Sequence, residues 1–206
     1  MAAYKLIIFD LDGTLLDSFS WFLRVLPAVA DKHGFRRVAE VEALRGKDIR
    51  AMIAALEVRR WRVPLIARDM RKLKAQSLDS ITPFPGVPEM LAALAGRGLT
   101  LAVVSSDSEA NARRALGLSA SRISHFACGA SLFGKARKFR QVMRAAGIAP
   151  AATLAIGDET RDAEAAKAAG IDFAGVAWGY ATAQALARMG PVTVFAEIAD
   201  IAAWLR

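Results

Sequence analysis

The chain has 206 residues, 54% of them hydrophobic, and its 28 Lys and Arg outnumber its 20 Asp and Glu to give a formal net charge of +8. That is enough chain to bury a full core and carry a small second domain, and no apolar run approaches the roughly 20 residues that span a bilayer. The basic excess suits nucleic acid or an acidic small molecule, but the cations are scattered through helical patterns such as RDMRKLKAQ, with no recognition module or interleaved basic and aromatic stripe, so nucleic acid is set aside as a partner.

Met1 to Lys5 leads straight into a strand pattern, YKLIIFD, with no signal-peptide architecture, which places the protein in the cytoplasm. The strand ends in Asp10 and Asp12, directly before Gly13-Thr14. Alternate strand residues share a face, so the two carboxylates would project together and repel unless something cationic lies among them. A strand-ending turn accounts for Asp12-Gly13 and leaves Asp10 idle. A divalent-metal and phosphate site needs hard oxygen ligands held on a rigid strand end, and uses both. Thr14 and Asp17 are explained equally well by a turn or a helix cap.

From about Ser18 to Thr82 the pattern is helical only, in SWFLRVLPAVADKHG, KDIRAMIAALEV and PLIARDMRKLKAQSL, and TPFPGVPEM then reads as a hinge. The expected organisation is a core of residues 1–17 and 83–206 with a helical cap, 18–82, placed above the strand ends like a lid. His33 has no metal-ligand spacing or triad partner. In ALRGKDIRAM, Gly46 marks a turn between cap helices with Arg45, Lys47 and Arg50 around it, either a solvated basic helix end or a specificity cluster.

Beyond the hinge, strands LTLAVVSS, TLAIGD and DFAGVAW, with weaker ISHFACGA and PVTVFA, alternate with helices closed by Gly, such as SEANARRALG and RDAEAAKAAG. Ser108 is the expected cap of the first of these helices. Cys128 is without a partner for an internal disulfide and reads as a small buried hydrophobe, and His125 is isolated. Continuous apolar strands interleaved with helices predict an α/β fold, a doubly wound parallel sheet with a Rossmann-like core and the helical cap inserted after its first strand. Ligands gather at the carboxyl ends of such strands, where Asp10, Ser105 and Asp158 fall. Acidic groups from distant strand ends converge there and together could hold magnesium. Ser105 and Ser106 would offer hydroxyl and backbone N–H groups. Lys135 supplies a point charge suited to phosphate, with Lys138 one helical turn on as its competitor. GASLFGKA nearly matches the P-loop of nucleotide-binding enzymes, but Ala136 stands where the magnesium-binding hydroxyl belongs, and that reading leaves the Asp motifs unexplained.

DLDGT, strand-end Ser105, Lys135 and GDETRD, in this order and with a cap between the first two, resemble the capped phosphatases of the haloacid dehalogenase superfamily, phosphoglycolate phosphatase and its relatives; VAWGY near Tyr180 has the same look. The resemblance implies a magnesium-dependent hydrolase of a small phosphorylated metabolite. Asp10 would be the nucleophile and form an aspartyl phosphate, and Asp12 the acid and then the base. It implies magnesium held by Asp10, the backbone carbonyl of Asp12 and Asp158, with Asp162 behind them through water or Lys135, and phosphate bound by Ser105, Ser106 and Lys135. It also implies that the loop carrying Arg45, Lys47 and Arg50 meets the leaving group, which favours an acidic substituent. A sugar phosphomutase shares cap and motifs, and a non-catalytic regulatory domain shares the fold. The segment ARKF after Lys135, in place of a proline-containing one, departs from the phosphoglycolate type.

Overall fold

The computed structural model describes residues 4–37, 49–129 and 134–205, without the side chains of Ile49 and Arg50. Arg45 and Lys47 therefore lie outside the described residues. Among the described residues no helix is long and apolar enough to cross a membrane.

The first strand, β1 (Leu6–Phe9), is buried along its whole length. Its side chains divide by alternation: Ile7 and Phe9 enter one hydrophobic cluster, Leu6 and Ile8 the other, so the strand is apolar on both faces because both faces are covered. Helices α1 (Phe19–His33), α2 (Ile49–Ala55) and α3 (Val63–Gln76) follow before the chain returns to the sheet. The remaining elements alternate: α4 (Val87–Gly96), β2 (Thr100–Val104), α5 (Glu109–Leu116), β3 (His125–Ala127), α6 (Lys135–Ala146), β4 (Thr153–Gly157), α7 (Thr160–Ala169), β5 (Asp172–Val176), α8 (Ala183–Ala187), β6 (Thr193–Phe195) and α9 (Ile198–Trp204).

The six strands form one parallel sheet in the order β3-β2-β1-β4-β5-β6. The chain reverses its direction of winding at β1, which pairs with β2 on one side and β4 on the other, Phe9 lying opposite Val103 and Ile156. A crevice opens at such a switch point, beyond the carboxyl ends of the strands. The doubly wound sheet and the helical insertion after its first strand are as the sequence pattern predicts, and the two weaker strand candidates are the short edge strands β3 and β6.

The two connections between sheet and insertion run side by side. Asp17 N–H donates to the Thr82 carbonyl (3.0 Å), Phe84 N–H donates to the Leu15 carbonyl (3.0 Å), and Leu16 bridges Pro83 in antiparallel sense. Above this clasp, Phe19 meets the Tyr180 ring edge-on at 4.9 Å and Ser18 lies 3.2 Å from the Tyr180 hydroxyl, which seats α1 on the sheet.

Candidate active site

Asp10 is the residue at which β1 stops. Its N–H still donates to the Ile156 carbonyl (2.9 Å), so the sheet fixes its backbone while its side chain enters the crevice. Lys135, the first residue of α6, places its ammonium 2.9 Å from Asp10 Oδ1 and also pairs with Asp162. Lys138 instead donates to the Cys128 carbonyl (3.4 Å). Asp158 follows β4 in the same way, fully buried. Its Oδ1 accepts from the Thr14 hydroxyl (2.7 Å) and its Oδ2 from the Tyr180 N–H (2.8 Å). Gly13, at φ +79°, packs so closely on this carboxylate that a Cβ would collide with it, and glycine alone satisfies both the turn and the approach. Asp162 closes a capping box at the start of α7, its Oδ2 accepting from the Glu159 N–H (3.1 Å).

Carboxylate oxygens of Asp10, Asp158 and Asp162 lie within 4.8 Å of one another, all three residues buried. Asp10 Oδ2 is buried without a hydrogen-bond partner among the described residues. Three hard oxygen donors, one with an open lone pair, fit a small divalent cation such as magnesium. The electrostatics agree. Burial pushes the Asp10 carboxyl up to about 6, with Lys135 opposing and Asp162 reinforcing the shift. Burial, Glu159 and Asp10 raise Asp158 well above the carboxylate range. For Lys135, burial disfavours the charge, but Asp10 and Asp162 outweigh it and hold the ammonium above its ordinary range.

Asp12 departs from the sequence expectation that it shares a face with Asp10. The strand has ended, and Asp12 sits in a turn bridged to Leu16. Its Oδ1 accepts from Lys74 of α3 at 2.6 Å, and the same ammonium lies 2.7 Å from Asp107. Each aspartate of the DLD pair thus has its own cation, which answers the repulsion that the sequence raised. Lys74 is 4% exposed, unlike Arg68 and Lys72 of the same segment RDMRKLKAQ, which are exposed. Burial opposes its charge, yet Asp12 and Asp107 raise its proton affinity.

Ser105 is buried at the end of β2, and its Oγ accepts from the Asp107 N–H (3.0 Å), which leaves the hydroxyl proton to be donated. Ser106 lines a cavity of about 220 Å³ between insertion and sheet, together with Asp12, Lys74, Arg161 and Tyr180. Lys74, Asp107, Arg161 and Tyr180 were not assigned to the site from sequence; Asp107 stands two residues after Ser105, Arg161 lies inside GDETRD and Tyr180 ends VAWGY, so their signal was their place in those motifs, whereas Lys74 reaches the site only by the packing of a helix remote in sequence. Of the residues set aside, Ser108 caps α5, accepting from Asn111 N–H at 3.1 Å. His33 is buried 3.1 Å from Asp69 within the insertion. Cys128 is half-buried rather than fully buried, and burial raises its thiol to about 12. Arg50 lies in α2, with its side chain outside the described residues.

The haloacid dehalogenase-like hydrolase family matches residues 7–176. The phosphoglycolate phosphatase of Synechococcus elongatus is 32% identical over 90% of this chain and 89% of its own length. The N-acetylmuramic acid 6-phosphate phosphatase of Pseudomonas aeruginosa is 31% identical over 85% of this chain and 83% of its own. Among solved structures, a predicted phosphoglycolate phosphatase from Haemophilus somnus superposes over the whole of both chains with a TM-score of 0.78 and 25% identity. A carboxylate-bearing strand end at the switch point, an acidic cluster beside a buried lysine and a match over most of the length lead to one conclusion: the chain belongs to the haloacid dehalogenase-like hydrolase family.

Proposed function

We propose that the protein is a magnesium-dependent phosphatase that hydrolyses a small phosphate monoester through an aspartyl phosphate on Asp10, with residues 1–17 and 83–206 as the catalytic core and 18–82 as a cap. The observation that carries this reading is the Asp10 carboxylate itself, rigidly held, with one oxygen on Lys135 and the other unpartnered among the described residues. An oxygen with an open lone pair can attack phosphorus in line, displacing the alkoxide. Asp12 gives its proton to the departing oxygen, then takes one from the water that attacks the aspartyl phosphate, which frees inorganic phosphate and restores Asp10. Lys135 and Ser105, with Ser106 beside it, bind the phosphoryl oxygens. Asp10, Asp158 and the Asp12 carbonyl would hold magnesium, with Asp162 steadied behind them by Lys135. When bound, the ion offsets charge on the phosphoryl group. Thr14 and the Tyr180 N–H orient Asp158 for that task. The single cysteine suits a reducing compartment such as the cytoplasm.

The relatives act by name on phosphoglycolate and on N-acetylmuramic acid 6-phosphate, and what those substrates share is the phosphate monoester. The test is phosphate release from a panel of esters with and without magnesium, repeated with Asp10→Asn. This near-isosteric change should leave the fold intact and lower turnover by about three orders of magnitude or more. Full activity in a folded Asp10→Asn protein would falsify the mechanism.

A further inference from the structure

The cavity above the site is divided in its chemistry. On α3 the residues facing it are Val63, Ile66, Ala67, Met70, Arg71 and Lys74, one stripe at helical spacing. Its first two turns are hydrocarbon, and its cations come only in the last stretch, where Lys74 reaches Asp12 and Asp107. Arg161, paired with Glu159, also belongs to this sheet-side end. The hydrocarbon lining is completed by Phe22 and Leu26 of α1, Met52 of α2 and Leu56 just beyond its end. Leu26, Met52 and Leu56 form the insertion's own small core. Trp21 adds an indole N–H with no partner among the described residues, a donor and not a cation.

From this division we infer that the leaving group is apolar: the substrate is a phosphate monoester of an alcohol bearing a short hydrocarbon chain or a ring. The inference rests on the phosphatase reading for the position of the phosphate, at the charged end, and on the described lining for the rest. A carboxylate or second phosphate at the far end would lose its water and find no counter-charge among the described residues. Hydrocarbon there replaces water against hydrocarbon. The size suits it, since apolar cavities of about 150 Å³ hold a benzene ring and this one measures about 220 Å³. The basic residues Arg45, Lys47 and Arg50 would favour the opposite choice, an acidic substituent, so the two readings part on a single comparison.

That comparison is kcat/KM, with magnesium, for the n-alkyl phosphates from ethyl to hexyl against phosphoglycolate. The alkyl leaving groups hardly differ in basicity, so chain length reports burial rather than chemistry. The expected result is a rise of about fourfold per methylene until the pocket is filled, with phosphoglycolate below the longer esters. A flat or falling series, or phosphoglycolate above every alkyl ester, overturns the inference and leaves the phosphatase standing. If no ester is hydrolysed, the phosphatase reading fails, and the pocket is still tested by titrating n-alkylphosphonates and phosphonoacetate calorimetrically into the magnesium-loaded protein. Tightening by about fourfold per methylene supports the pocket; affinity independent of length, or tighter for phosphonoacetate, overturns it. Ala67→Leu narrows the hydrocarbon end and should lower kcat/KM for hexyl phosphate about tenfold more than for ethyl phosphate. An unchanged ratio of the two in the folded variant also overturns the inference.

Discussion

At the scale of single residues, the site separates two aspartates that are neighbours in sequence. Asp10 is held by Lys135 from the sheet side, and Asp12 by Lys74 from the insertion. Their roles should separate in the same way. On the proposed mechanism Asp12→Asn removes the proton donor but not the nucleophile, so turnover of an alkyl phosphate should fall about a hundredfold, and turnover of p-nitrophenyl phosphate, whose leaving group needs little protonation, by about tenfold at most. Equal losses on both would argue against acid catalysis at Asp12. The sequence made Asp10, Ser105, Lys135 and Asp158 legible because each stands at an end of a regular element, where a polar residue interrupts an apolar or helical pattern. It left Lys74 hidden, because a lysine among Arg and Lys on a helix has the pattern of a solvated residue. Only the packing of α3 against the sheet decides that this ammonium is buried between two carboxylates.

At the scale of elements, α3 belongs to both halves of the molecule. Its first turns line the apolar end of the cavity, and its last one is tied to the sheet by Lys74. That tie has a measurable worth. Asp107 is buried and bound also by the Ser108 N–H (2.7 Å) and Asn111 Nδ2 (2.8 Å), so removing its cation leaves a buried carboxylate without its ion partner. Lys74→Met should therefore lower the unfolding free energy by about 3 kcal/mol, the usual consequence of breaking a buried pair. Adding Asp107→Asn should return part of the loss, and a denaturant double-mutant cycle measures it. Strictly additive effects would mean that Lys74 and Asp107 are neighbours without being coupled. Unlike the short α8 and α9, the strands and most of the longer helices were legible, since an apolar period coincides with a closing Gly in α1, α5, α6 and α7. Their ends carry the local chemistry expected of them, as at Ser108, and at Gly34, Gly147 and Gly170, which close α1, α6 and α7 in the left-handed region. The angle at which α3 meets the sheet has no such local signature.

At the scale of the whole molecule, the fold gathers negative charge at one point, and its stability should show it. The ordinary Asp value is near 4, whereas in the folded protein burial chiefly raises Asp10 to about 6. The folded form holds this proton more tightly than the unfolded one, so Asp10 makes the metal-free protein lose stability as pH rises from about 4 to about 6, and Asp158, also raised, adds a loss in the same direction. On the proposed function, magnesium competes with that proton and binds only the folded cluster. Its stabilisation should grow across the same window, with a larger increase in Tm on adding magnesium chloride at about pH 7.5 than at about pH 5. An equal or larger increase at the lower pH would show that the Asp10 cluster is not where the ion acts. A parallel sheet was legible from its continuous apolar strands, and a ligand site at their carboxyl ends followed from it. The order β3-β2-β1-β4-β5-β6 was not, because every strand is apolar on both faces and no sequence pattern says which neighbours which.

The clasp in which Asp17 and Phe84 pair with Thr82 and Leu15 carries a consequence for how such an enzyme diversifies. The insertion leaves and re-enters the sheet at adjacent points already joined by backbone hydrogen bonds, so the span its ends must bridge is set by the clasp and not by its contents. Closing a longer or shorter segment there alters the loop-closure entropy only logarithmically. Selectivity can then be exchanged as a cassette, with new helices grafted onto an unchanged engine, provided that each graft brings its own counterpart of Lys74 to meet Asp12 and Asp107.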